Sequence, residues 1–131
     1  MEHVHEAPYD AARGDIPARY AREIATLYSP DGDFALVFLA TNEPPAVEEY
    51  EVICERSGDG WMGGSGGNGP GGGWHSTGGV TYFWDYSPEG ATSAVIRSQG
   101  REHVIPVRNG YIAFAVWNTK HPADIELLRF T

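Results

Sequence analysis

Between residues 80 and 117 apolar and polar positions alternate with a period of two, the spacing that sends successive side chains to opposite faces of a strand. Val80, Tyr82, Trp84 and Tyr86 share one face, and Thr81, Phe83 and Asp85 the other. Ser87-Pro88-Glu89-Gly90 then fits a type I turn. Ser93–Ser98 and Glu102–Val107 predict a hairpin across Gln99-Gly100-Arg101. Asn109-Gly110 suits a type I′ turn, which needs positive φ at both residues, and leads into a strand over Tyr111–Trp117. Asp124–Phe130, after His121-Pro122, predicts the last strand.

Upstream, Asp33–Thr41 is apolar on both faces, Phe34, Leu36 and Phe38 alternating with Ala35, Val37 and Leu39, which predicts a central strand buried on two sides. Glu49–Arg56 alternates with Tyr50, Val52 and Cys54 inward and Glu49, Glu51 and Glu55 outward, Ile53 being the exception. Trp61-Met62 predicts a short strand. One stretch has a different period: Ile16, Tyr20, Ile24, Leu27 and Tyr28 recur at helical spacing, with Asp15 as N-cap and Pro17 in the first turn. These predict an amphipathic helix over 16–28, after a flexible arm over 1–14 whose apolar side chains are few. The expected fold is an all-β antiparallel sandwich, immunoglobulin-like in general architecture. It has seven or eight strands and one N-terminal α-helix, in a single domain over 15–131.

The stretch from Gly90 to Trp117, about a fifth of the chain, resembles the later strands of immunoglobulin-like or carboxypeptidase-regulatory-like sandwich domains. A small-residue turn, Ala94-Val95-Ile96, a charged hairpin, Pro106-Val107, and Asn109-Gly110-Tyr111 before Phe114 carry that resemblance. It implies a non-catalytic accessory module.

The glycine run over 63–79 interrupts these strands: ten of its seventeen residues are glycine, against seventeen glycines in the whole chain. Ordered glycine costs roughly 0.5–1 kcal/mol more than alanine in a regular element, so ten of them compare with the whole net stability of a domain. The run therefore reads as a flexible loop, or as a segment held by a partner or by backbone contacts that side chains would block. Gly64–Gly69 and Gly67–Gly72 both match GxGxxG, but the pyrophosphate site of that motif needs a helix after the loop, and Trp74-His75-Ser76-Thr77-Gly78-Gly79 does not start one. A phosphate-binding P-loop needs Gly-Lys-Ser/Thr, and the only lysine is Lys120. Gly63–Gly67 matches GxSxG, with Asp85 and His103 or His121 completing a hydrolase order. A serine in mobile glycine lacks the strained strand-to-helix turn that projects the nucleophile, so Ser65 is not expected to be catalytic.

The nine Lys and Arg are scattered and the net charge is −9, which argues against nucleic acid as a partner. The densest acidic stretch, Glu43–Glu55, would suit a basic protein. His3 and His5 flank each other in the arm, His75, His103 and His121 are isolated, and one cysteine, Cys54, forbids both an internal disulfide and a Cys-pair zinc site. No metal, cofactor or membrane interaction is expected. The acidic N-terminus does not read as a signal peptide, and the longest apolar runs are seven residues, so a cytoplasmic location is expected.

The aromatic residues remain. Trp61 and Trp74 bracket the start of the glycine run and Tyr82 and Trp84 follow it, so these four, with Asn68 and His75, are the candidate binding residues. The function expected is a non-catalytic binding module that uses the glycine run and its aromatics on an unidentified protein or small ligand. The alternative is a small acidic inhibitor or immunity-type protein directed at a basic partner.

Overall fold

A computed structural model describes residues 4–42 and 46–131, so Glu2, His3 and Glu43 lie outside the described residues. Among these the chain forms one α-helix and ten strands, every strand pair antiparallel. The antiparallel all-β fold is as the periodicity predicts, whereas its one short N-terminal helix lies elsewhere than predicted. Contacts divide the chain into two compact units, Met1–Gly69 and Pro70–Thr131. The division falls inside the glycine run.

The first unit is a four-stranded meander of β1 (Ala21–Tyr28), β2 (Phe34–Thr41), β3 (Glu48–Ser57) and β4 (Gly60–Asn68), paired in that order. From Ala35 to Ala40, β2 is no more than 2% exposed at any residue, as expected of a central strand. One of its faces, Ala35, Val37 and Leu39, packs with Cys54 and Trp61 beneath helix α1 (Pro8–Arg13), which contributes Ala11.

Three expectations fail in this unit. The helix predicted over 16–28 is instead a 3-10 turn at Ala18–Tyr20 followed by β1. A β-bulge between Glu23 and Ala25 slips the alternation by one, so that Ile24 and Ala25 are both buried and the spacing imitates a helix. The arm predicted as flexible contains α1, with Pro8 in its first turn, and His5 exchanges backbone hydrogen bonds with Trp61 at 2.7 and 2.9 Å. Glu51, assigned outward, is 2% exposed, on the same face as the buried Phe38 that stands opposite it.

The glycine run is not a loop. Its first part completes β4, a ladder against β3 in which Gly66 and Gly67 stand opposite Val52 and Glu51. A Cβ on Gly67 would collide with the Glu51 carboxylate, and one on Gly66 with the Glu51 carbonyl. A Cβ on Gly63 would come within 2.7 Å of the Ala11 carbonyl. These glycines let a neighbouring backbone and a buried carboxylate approach the strand.

The second unit is a small sandwich. β5 (Gly71–His75), β6 (Val80–Tyr86) and β9 (Tyr111–Val116) form one sheet in the order β5-β6-β9. β7 (Ser93–Ser98), β8 (Arg101–Pro106) and β10 (Glu126–Phe130) form the other in the order β10-β7-β8. Ala94, Ile96 and Ile112 centre a shared core that Phe83, Phe114 and Leu127 extend. Asn109 (φ 53°) and Gly110 (φ 84°) turn as the Asn-Gly pair predicts, and Gln99 (φ 53°) with Gly100 (φ 77°) closes the β7–β8 hairpin similarly.

Candidate functional site

In the second unit, β5 is an edge strand pairing only with β6, Gly72 standing opposite Phe83, Gly73 opposite Tyr82 and Trp74 opposite Thr81. Residues directly opposite share a face, so Gly72, Trp74, Thr81 and Phe83 look toward the sandwich interior. At this edge the sandwich gapes. Gly72, Trp74, Thr81 and Phe83 on one side and Ala123 and Ile125 on the other line an open cleft of about 240 Å³. Among the described residues, no acidic, basic or histidine side chain lines it.

A chain of hydrogen bonds sets the Trp74 ring at its mouth. A 3-10 turn at Thr77–Gly79 brings Gly79 against Thr119, whose backbone N–H donates to the Gly79 carbonyl at 2.7 Å. Gly79 sits at φ 55°, and a Cβ there would lie 2.7 Å from the Thr119 carbonyl, so glycine admits that contact. Thr119 Oγ1 donates its one proton to the Gly79 carbonyl at 2.7 Å. It is therefore the acceptor for Trp74 Nε1 and for Thr81 Oγ1, both at 3.1 Å. Thr81 Oγ1 in turn accepts from the Ala123 N–H at 3.0 Å, which ties the far wall of the cleft to β6. Aligned hydroxyl dipoles strengthen one another in such a chain. The indole, 37% exposed, is thus oriented without being buried.

The other candidate residues are placed differently. Gly73 and His75 face the opposite side of β5, where the His75 ring stacks on Tyr82 at 5.3 Å and 14°. The Tyr82 ring lies over Gly73 so closely that a Cβ there would strike it. Trp84 is fully buried with Tyr111 at 5.8 Å, a core residue. Trp61 is 3% exposed in the first unit, with the Arg56 guanidinium 4.6 Å above its ring and Tyr28 edge-on at 5.9 Å. Asn68 is exposed at the end of β4 opposite Tyr50. The structure brings Trp74 to the cleft, sets the Tyr82 ring on the opposite face of the same sheet, and leaves Trp61 and Trp84 in cores.

Sequence reasoning passed over Thr81, Thr119 and Ala123. Thr119 lies in no strand and belongs to no periodic pattern, and its one trace in the sequence is the Gly78-Gly79 pair that makes room for it. Ser65 lies within β4, so the strand-to-helix turn of a nucleophile elbow is not formed there. Cys54 is buried, its Sγ 3.5 Å from the Pro8 carbonyl, and burial pushes the thiol up to about 12. Among the described residues no group of His, Cys, Asp or Glu is placed to hold a metal ion, and no helix is long and apolar enough to cross a membrane.

Charge is partitioned between the units. Thirteen of the eighteen acidic residues and four of the nine basic ones fall within residues 1–69, so the first unit carries the whole net charge of −9 and the second is balanced. Comparison of the chain with family models, curated proteins and solved structures gives no match.

Proposed function

We propose that this protein is a non-catalytic binding module whose contact surface is the Trp74 cleft at the open edge of the second unit. The observation that carries the proposal is the half-exposed indole, fixed by Thr119 over an apolar cleft. A ring held in place offers stacking area with little rotamer entropy left to lose on binding. The cleft supplies no charge, so its ligand presents an uncharged, apolar group.

The test is a titration of the ¹⁵N-labelled full chain with uncharged apolar fragments such as indole and N-acetyl-leucine amide, up to about 10 mM, which detects dissociation constants in the millimolar range. Shifts are expected at the Trp74 indole N–H, Gly72 and Ala123, and Trp74→Ala should remove them. A titration that leaves all three unmoved overturns the proposal.

The charge partition favours one second reading, an acidic inhibitor that engages a basic protein through the first unit. Such binding would weaken steeply as salt rises, because screening acts on exposed charge. Association insensitive to salt would refute it.

A further inference from the structure

Most glycines near the cleft are there for an internal reason. Gly73 lies under the Tyr82 ring, and Gly79 admits Thr119. Gly72 has no such reason. Its φ is outside the left-handed region, and a Cβ would meet only the Tyr82 carbonyl at 3.5 Å and Phe83 Cδ2 at 3.9 Å, which is ordinary contact. Among the described residues nothing asks for glycine at this position.

Gly72 stands on an edge strand, at the mouth of the cleft and on the cleft's face. Alternate residues of an edge strand turn their N–H and C=O groups away from their one partner, and proteins blunt such edges with lysine, proline or inward charge. β5, Gly-Gly-Gly-Trp-His, has none of these. Resting on the binding reading above, we infer that β5 accepts an extended segment of a partner protein as an added strand. The residue opposite Gly72 in that segment drops an uncharged apolar side chain into the cleft.

The geometry follows from sheet rules. A side chain opposite Gly72 lies on the face of Gly72 and Phe83, and that face opens into the cleft. The absent Cβ leaves it unobstructed. Main-chain hydrogen bonds then supply affinity and the cleft supplies selectivity, the division of labour of strand addition. The size of the edge favours a peptide over a second copy of this chain. Five residues at about 3.4 Å each and one sheet about 10 Å thick give a contact of roughly 170 Å² per partner, against the ~800 Å² per partner of a stable dimer. Trp74, the residue a second copy would have to lay across Gly72, is already committed to Thr119 of its own chain.

The test uses the full chain and three capped five-residue peptides of alternating threonine and valine. One has leucine at the centre, one has alanine, and one is the leucine peptide with alternate amides N-methylated. The leucine peptide should shift the amides of Gly71 to His75 and of Ala123, and bind roughly tenfold or more tightly than the alanine peptide, which buries less apolar surface. N-methylation should cost a similar factor by removing main-chain donors. Gly72→Ala, whose Cβ meets only ordinary contacts, should weaken the preference for leucine while the protein stays folded. If single-residue fragments bind and the leucine peptide binds no better, the cleft remains a binding site and strand addition is wrong. Equal affinity for leucine and alanine peptides overturns the anchor. Concentration-dependent self-association that protects the β5 amides assigns the edge to a second copy and overturns the peptide. Silence from fragments and peptides together overturns both readings.

Discussion

Replacing Gly66 with alanine separates an ordered glycine strand from a mobile glycine loop by the sign of one measurement. In a mobile loop, Gly→Ala only restricts the unfolded chain and stabilises by about 0.4–1 kcal/mol. In β4, the new Cβ would sit against the Glu51 carbonyl, with Val52 Cγ2 at 3.2 Å. A backbone carbonyl within a ladder cannot swing aside as a side chain can. Overpacking of this kind costs about 1–3 kcal/mol. Set against the gain from the restricted unfolded state, the net effect is a destabilisation of roughly 1–2 kcal/mol. With a urea m-value near 2 kcal/mol/M, the midpoint should fall by about 0.5–1 M at unchanged slope. Gly72→Ala is the control, since its Cβ meets nothing closer than 3.5 Å, and it should be neutral or slightly stabilising. Equal or higher stability of Gly66→Ala would refute the close-approach account of β4.

Two further outcomes follow from contacts already described. Thr119→Val removes the acceptor of the Trp74 indole and the donor to Gly79, so Trp74 emission should shift to the red and become easier to quench, with a stability loss of about 1–3 kcal/mol. Emission unchanged from the parent protein would count against the hydrogen-bond chain. Burial raises the Cys54 thiol from 9.0 to about 12, so the folded state holds its proton more tightly than the unfolded state. That contribution is complete below pH 9.0 and is lost as pH rises toward about 12, at about 1.4 kcal/mol per pH unit. Cys54→Ala should flatten the alkaline loss of stability by that slope, and identical alkaline profiles would contradict it. Deleting residues 1–13 removes α1 and should make the thiol reactive to a disulfide reagent at pH 8, where the parent protein is inert.

The strands that the sequence makes legible are those whose partners also follow a period of two. The β7–β8 hairpin across Gln99-Gly100 and the strand β9 that follows Asn109-Gly110 each adjoin a turn whose residues suit positive φ, and both appear where expected. β1 was illegible because a bulge shifted its pattern by one residue, and α1 because six residues make too few turns to show a period. The glycine run misled for a different reason. Glycine composition records permissiveness, whereas the order of this segment comes from Glu51, Ala11, Tyr82 and Thr119, which lie elsewhere in the chain. The candidate site was half legible: Trp74 and Tyr82 stood out as aromatics, but the threonine pair that orients Trp74 has no pattern of its own.

The pairing order of the first unit has a kinetic consequence. Each strand from β2 to β4 pairs with the strand just before it, so a chain emerging from its N-terminus can close every ladder against a strand already present. Short sequence separations make such closures fast. The second unit closes two of its four ladders only over longer separations. β5-β6 and β7-β8 pair consecutively, but β9 must return to β6 and β10 to β7 before the core around Ile96 and Ile112 closes. During synthesis the first sheet is therefore complete before the second can begin to consolidate, and the glycine segment that joins them is laid down at the moment of that handover.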